Sequence, residues 1–357
     1  MKITELPDKY WKEITSKELG GKRKDTVCLV RYGGFGDLIQ ISSIFPLLKE
    51  QGKKVCVNVT ENGVDILKND PNIDELLVQK TDQVPNQELG DYWKFLRRVY
   101  PKVINLSSLI EQKLLVLPHD PIYNWDHKKR HKKLNKNYSE VLHNKAKVPH
   151  LFNIKFHPSN SEKKWAEEQR RSMRIGLQHY VIVVALSGSS VHKAYPYMDN
   201  VIAYYLVNEP NSRFVLVGDE ICQILEQGWE KEPRVFCKSG DWSIRQSLSF
   251  AQTADLVIGP ETGILNAVSA ENLAKVALLS HSSEENLTKH WVNTTSLSAN
   301  VSCYPCHKMH YGFKTCNRDS ETGGSMCAAN IDPRKVADAI DHHWNLKNDF
   351  SRTLSNS

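Results

Sequence analysis

The sequence predicts an α/β fold, with two Rossmann-like domains in tandem, each built on a doubly wound parallel sheet. Three observations carry this. Short, nearly continuous apolar runs recur, as in residues 26–32 (TVCLVRY) and 180–186 (YVIVVAL); strands buried on both faces read this way. Helical patterns long enough to serve as crossovers separate them, so neighbouring strands should run parallel. The series occurs twice with a blurred stretch between, and 357 residues suffice for two cores.

In the first series, TVCLVRY ends in the turn GGFGD and leads to the helical pattern LIQISSIFPLLKEQG. KVCVNV, helical ENGVDILKN, ELLVQ, helical ELGDYWKFLRRVY and KVINL follow. The rhythm blurs between Ser107 and about His157, and SNSEKKWAEEQRRSMRIG then reads as a polar helix stopped at Gly176. The second series runs from YVIVVAL through MDNVIAYYLVN, RFVLVG, EICQILEQG, RVFC, WSIRQSLSFAQTA, DLVIG and TGILNAVSA to KVALL. A last helix opens with Pro333 just inside its start. The expected domains are 1–176, carrying a basic insertion at 127–147; 177–330, carrying a cysteine-rich segment at 303–327; and a terminal helix and tail, 331–357. Ligands in such folds bind at the carboxyl ends of the strands, here expected in a cleft faced by both sheets. Pattern alone does not separate a transferase from an epimerase, a binding protein or a dehydrogenase.

Charge is unevenly distributed. The segment His127–Lys147 holds eight Lys/Arg and one Glu, and without it the net charge of +6 falls to about −1. It reads either as a solvated insertion or as a patch for a polyanionic partner: a phosphorylated glycan, an anionic membrane or nucleic acid. It lacks the aromatic interleaving that base stacking favours. No stretch approaches the roughly 20 apolar residues of a membrane span, and the charged start does not read as a secretory signal, so a cytoplasmic location is expected.

Three strand-end motifs carry candidate chemistry. In Arg31-Tyr-Gly-Gly-Phe-Gly-Asp37, Gly33, Gly34 and Gly36 let the backbone turn tightly, and the following helix offers amides to an anion. The third glycine of a dinucleotide fingerprint is missing. Asp37, taken alone, sits where a helix cap sits. In Ser187-Gly188-Ser189-Ser190-Val-His-Lys193, small residues and then a lysine describe a phosphate loop with a point charge in reach. In Gly-Pro260-Glu261-Thr262-Gly263, a buried strand gives way to a helix start, with Thr262 as N-cap or with the helix N-terminus aimed at a diphosphate.

In order and spacing these motifs resemble glycosyltransferase family 9, the heptosyltransferases that use ADP-heptose, whose pattern is R-x-x-x-x-G-D, a small-residue loop with K-x-W-P, and V-x-x-D-[ST]-G. The resemblance covers most of the chain from Thr26 onward, apart from Ser107 to Lys147. It implies a GT-B architecture, an inverting transfer from a nucleotide-sugar donor, and no catalytic divalent metal; the expected acceptor is a hydroxyl on an anionic glycan or a protein, with DNA the alternative that the basic insertion would serve. Asp37 matches the general base and Lys193 the lysine on the donor phosphate. Gly34, Gly36, Ser187, Gly188, Ser189, Glu261, Thr262 and Gly263 fall on the donor-binding motifs. Gly218 and Glu220 fall where the family holds the nucleoside, Glu220 reading equally as a helix-end residue. Tyr195 stands in place of the usual tryptophan and Glu261 in place of the usual aspartate, a longer side chain that alters how the donor sugar is held.

Four of the eight cysteines, Cys303, Cys306, Cys316 and Cys327, crowd into 25 residues, and four thiolates at this spacing can close a tetrahedral site for one structural zinc or iron ion. Autotransporter heptosyltransferases carry a similar four-cysteine iron segment. Cys28, Cys56, Cys222 and Cys237 read as small buried hydrophobes. Three other readings stay open: a transferase of this fold acting on modified bases in DNA, a nucleotide-binding relic without catalysis, and an epimerase.

Overall fold

The computed structural model describes residues 1–310 and 312–355, the side chains of residues 111, 112, 191 and 348–355 excepted. Its strands are β1 Lys2–Glu5, β2 Thr26–Val30, β3 Lys54–Thr60, β4 Glu75–Gln79, β5 Lys102–Asn105, β6 Tyr180–Ala185, β7 Ser212–Val217, β8 Val235–Cys237, β9 Leu256–Pro260, β10 Ala274–Leu279 and β11 Thr294–Ser298. They form two wholly parallel sheets, ordered β1-β4-β3-β2-β5 and β11-β10-β9-β6-β7-β8. The α/β class with two parallel sheets is as expected.

The apolar runs became inner strands because helices cover both faces: every residue of β2, β4, β6, β9 and β10 is buried. The two strands that the sequence did not announce, β1 and β11, are sheet edges. KITE is largely exposed and TTSLS half-buried, so no apolar run marks them. The helical run after β2 is broken into Phe35–Gln40, a 3₁₀ turn Ile41–Ser43 and Ile44–Glu50. Pro46 explains the restart, since it is tolerated only in a first helical turn. The expected helix after β7 is a 3₁₀ segment, Glu220–Glu226, with Asp219 accepting the Cys222 N–H.

The chain divides into two compact units, Met1–Lys113 with Tyr138–Ser159, and Leu114–Asn137 with Asn160–Ser357. This corrects the junction expected after Gly176 and splits the basic insertion. Helix Asn160–Ser172 joins the second unit because Glu162 takes both a 2.5 Å and a 2.7 Å bond from Arg245, and Trp165 meets Trp242 edge-on at 5.0 Å. Residues 114–137 join it through the cysteine-rich segment, with the Arg130 guanidinium donating to the His307 carbonyl and Met309 N–H to that of Leu114. Residues 138–159 stay with the first unit through Ser43–His143 at 2.9 Å and Lys155 N–H to Ser42 at 2.8 Å. The terminal helix Pro333–Ser355 is no separate tail: Val336, Ala339 and Ile340 are core, and Trp344 stacks on Tyr180 at 4.3 Å.

Candidate functional site

From β2 in the first sheet and β6 in the second, the chain winds outward on one side and then returns to the other side of that strand. The carboxyl ends at that reversal, β2 beside β5 and β6 beside β9, are where loops part and ligands enter in such folds. The predicted motifs occupy both places.

In the first unit, Arg31 leaves β2 fully buried and donates to the carbonyls of Asp37 at 3.1 Å and Leu106 at 2.8 Å. Its remaining nitrogen pairs with Asp37 Oδ1 at 3.2 Å. Asp37 Oδ2 accepts the Gly34 N–H at 3.0 Å, closing the start of helix Phe35–Gln40. The Gly34 amide, expected to serve an anion, is thus occupied by Asp37. Gly33 has φ +126° and a Cβ there would lie 2.7 Å from Asp37 Oδ2, so only glycine lets this carboxylate fold back. The Asp37 side chain stays 28% exposed, open to an incoming hydroxyl. At the same sheet end, the Tyr32 hydroxyl lies 2.7 Å from Asn58 Oδ1 and 3.0 Å from Gln79 Oε1, its one proton serving one of them at a time. Sequence reasoning missed this polar cluster, whose members are scattered over three strand ends.

In the second unit, β6 and β9 deliver residues 187–193 and 261–263 to one place. Lys193 is buried, and its ammonium donates to the backbone carbonyl of Glu261 at 3.0 Å. Gly188 fits between them: a Cβ there would meet Lys193 Cδ at 2.8 Å and the Glu261 carbonyl at 3.1 Å. Ser187 Oγ donates to the Ser190 carbonyl, while Ser189 is exposed at the loop's tip. Thr262 caps helix Gly263–Ala267 by accepting the Leu265 N–H at 3.4 Å. Gly218 ends β7, and Glu220 is exposed one residue beyond Asp219, the cap of its segment.

Glu261 does not present its carboxylate to open solvent. It is buried and accepts Ser280 N–H at 2.8 Å, Ser280 Oγ–H at 2.6 Å and Ser282 N–H at 3.0 Å, with His281 Nδ1 at 3.6 Å. Burial alone would raise its pKa; the neighbouring Lys193 charge and these donors outweigh that and hold it below the ordinary carboxylate range. Burial drives His281 the other way, down to about 4, so the ring is neutral at pH 7. The extra methylene of glutamate is what reaches the loop after β10. Only the Asp-to-Glu departure hinted at this in the sequence.

A cavity of about 180 Å³ in this unit is lined by Lys193, Ser190 and His281 and also by Cys303, Cys306, Cys316 and Cys327. The four cysteines therefore share a chamber with Lys193. Burial pushes Cys306 up to about 12 and Cys316 to about 11, and raises Cys327. Among the described residues, no three histidine, cysteine or acidic side chains are already gathered as a metal-holding group. The donor chemistry of four thiols around one chamber suits zinc or iron, with a bound cation favouring the thiolates. No helix among the described residues is long and apolar enough to cross a membrane.

Solved structures with a similar GT-B-like fold include several glycosyltransferases. The family 9 glycosyltransferase of Veillonella parvula superposes with TM-score 0.64 at 15% identity, covering 90% of this chain and 97% of its own. The E. coli ADP-heptose LPS heptosyltransferase II gives 0.63 at 13%, covering 90% and 99%. The iron-containing dodecameric heptosyltransferase TibC, solved with ADP-D-β-D-heptose, gives 0.58 at 14%, covering 94% and 80%. No family model and no curated protein matches the sequence.

Proposed function

We propose that this chain is an inverting glycosyltransferase that moves a sugar from a nucleotide-sugar donor of the ADP-heptose kind to an acceptor hydroxyl on a glycan or protein. The observation that carries the reading is the meeting of Lys193 with Glu261 and the Thr262 cap at the β6/β9 reversal. Two motifs far apart in sequence form one site for a diphosphate there. The family 9 fold and the ADP-heptose bound by TibC support the same reading.

In this reading Asp37 takes the acceptor proton as the oxygen attacks the anomeric carbon. The Arg31 and Gly34 bonds orient its carboxylate. Lys193, with Ser187, Gly188 and Ser189 and the backbone at 262–263, neutralises the departing diphosphate. Glu261 acts indirectly, fixing the loop after β10 and presenting its carbonyl to Lys193. Cys303, Cys306, Cys316 and Cys327 would hold one structural zinc or iron ion, whose part is to order a segment poor in apolar residues; the iron of TibC favours this assignment.

Native mass spectrometry against a panel of nucleotide sugars tests the donor, followed by transfer assays with the donor retained. Retention of none, or turnover of a nucleotide sugar without any acceptor, defeats the proposal, the latter in favour of an epimerase.

A further inference from the structure

Two serines tie the cysteine-rich segment to the loop that carries Lys193. Ser190 Oγ donates to the His310 carbonyl at 2.7 Å. Its one proton being spent there, its 2.5 Å contact with His192 Nδ1 must be a bond received from that nitrogen. The ring is then the neutral Nδ1–H tautomer, which agrees with a buried His192 Nε2 that has no hydrogen-bond partner. From the other side, Ser325, itself buried, donates its hydroxyl to the His192 carbonyl at 2.7 Å. Each link ends beside a cysteine. Cys327 Sγ lies 3.6 Å from Ser325 Oγ, and Cys306 Sγ lies 3.7 Å from His310 Nε2.

The stretch 187–190 is made of small residues with Ser189 exposed, and the 3₁₀ turn Val191–Lys193 is three residues long. The buried His192 ring packs on the same cysteine-rich segment, 4.4 Å from the Phe313 ring and 5.3 Å from that of His310. Lys193 reaches the Glu261 carbonyl only if that turn is fixed, and a lysine side chain loses substantial rotamer entropy when so confined. The residues fixing the turn come from the cysteine segment, more than 100 positions later in the chain.

We infer that Ser190 and Ser325 are positioning residues that make the Lys193 site depend on the state of the cysteine segment. An ordered segment holds Lys193 in place for a diphosphate. A segment loosened by loss of its thiol set releases the 190–193 turn and the diphosphate affinity with it. The inference rests on Lys193 being the diphosphate lysine, and its test separates the two.

The test is calorimetric binding of inorganic pyrophosphate and of ADP to the full chain and to Ser190→Ala, Ser325→Ala, Lys193→Ala and the Ser190→Ala/Lys193→Ala pair. Melting temperature and metal content are recorded for each. The expected result is a three- to tenfold weaker affinity for either serine variant, with metal content unchanged and Ser190→Thr, which keeps the hydroxyl, near wild type. In the Lys193→Ala background, Ser190→Ala should add little, because the serine acts through the lysine. Additive losses, or serine variants that bind like wild type while Lys193→Ala does not, overturn the inference alone. Wild-type protein that binds neither probe, or Lys193→Ala that binds both normally, overturns the diphosphate reading beneath it. Should the serine variants fail to fold, Cys327→Ser supplies the second route: it must weaken pyrophosphate binding although it lies outside the 187–193 loop.

Discussion

The Lys193 ammonium donates to the backbone carbonyl of Glu261 across 3.0 Å, joining the loop after β6 to the cap after β9. The bond sets the position of the ammonium charge without neutralising it, since a backbone carbonyl carries no net charge. Removing a preorganised charge of this kind typically costs turnover about 10²–10³-fold. Lys193→Ala should show that loss, and Lys193→Arg should recover only part, because a planar guanidinium does not fit the space beside Gly188. Gly188→Ala should mimic Lys193→Ala by pressing on the lysine stem. Full transfer activity in both variants would place Lys193 outside the site.

Asp37 does two jobs that single substitutions can separate. Asp37→Asn keeps an oxygen for the Gly34 N–H but cannot take a proton. Turnover should fall about 10²–10⁴-fold, with only a small drop in melting temperature from the weakened Arg31 pair. Asp37→Ala should additionally lose about 0.5–2 kcal/mol of stability, as caps do. An asparagine variant with near-normal turnover and a strongly lowered melting temperature would leave Asp37 as a cap.

The pH dependence of stability follows from His281. Its pKa is lowered in the fold to about 4 from an ordinary 6.5, because burial disfavours the charged ring. Between these values the unfolded chain binds a proton that the native chain does not. Stability therefore rises with pH in this window, and falls as pH drops from 6.5 toward 4. One group contributes at most about 1.4 kcal/mol per pH unit. Denaturant titrations of His281→Gln should show a shallower slope over pH 4–6.5 than wild type. Equal slopes would mean that the native ring is already charged.

The cysteine segment should carry one zinc or iron ion per chain. Residues 302–330 are rich in Gly, Ser, Asn and Asp and cannot form a core of their own. One bound ion can supply on the order of 10 kcal/mol toward ordering such a segment. Elemental analysis of protein purified without chelator should find it, and Cys303→Ser or Cys316→Ser should loosen this segment, read by hydrogen exchange, while both sheets stay protected. Protein free of both metals, with four titratable thiols here, would contradict the assignment.

Sequence alone determined the two parallel sheets, since continuous apolar runs such as 180–186 have no stable place except between two layers of helices. It also located the strand-end motifs, because a Gly-rich turn after a buried strand needs the same residues wherever it occurs. What it could not determine was which distant segments meet. Helix 160–172 and residues 114–137 are polar and carry no period that names a partner. Their place in the second unit was decided by Glu162–Arg245 and by Arg130 on the His307 carbonyl. The same holds for Glu261. Its length was visible, but that it spends its carboxylate on Ser280 and Ser282 depends on the loop after β10, reached only once β9 and β10 pair. Likewise the spacing of four cysteines suggested a metal, whereas their shared chamber with Lys193 follows from the segment folding back onto the loop after β6. Local pattern fixes local structure because it acts through neighbouring backbone; the site depends on side chains brought together by the sheet reversal, and only the assembled sheet specifies those contacts.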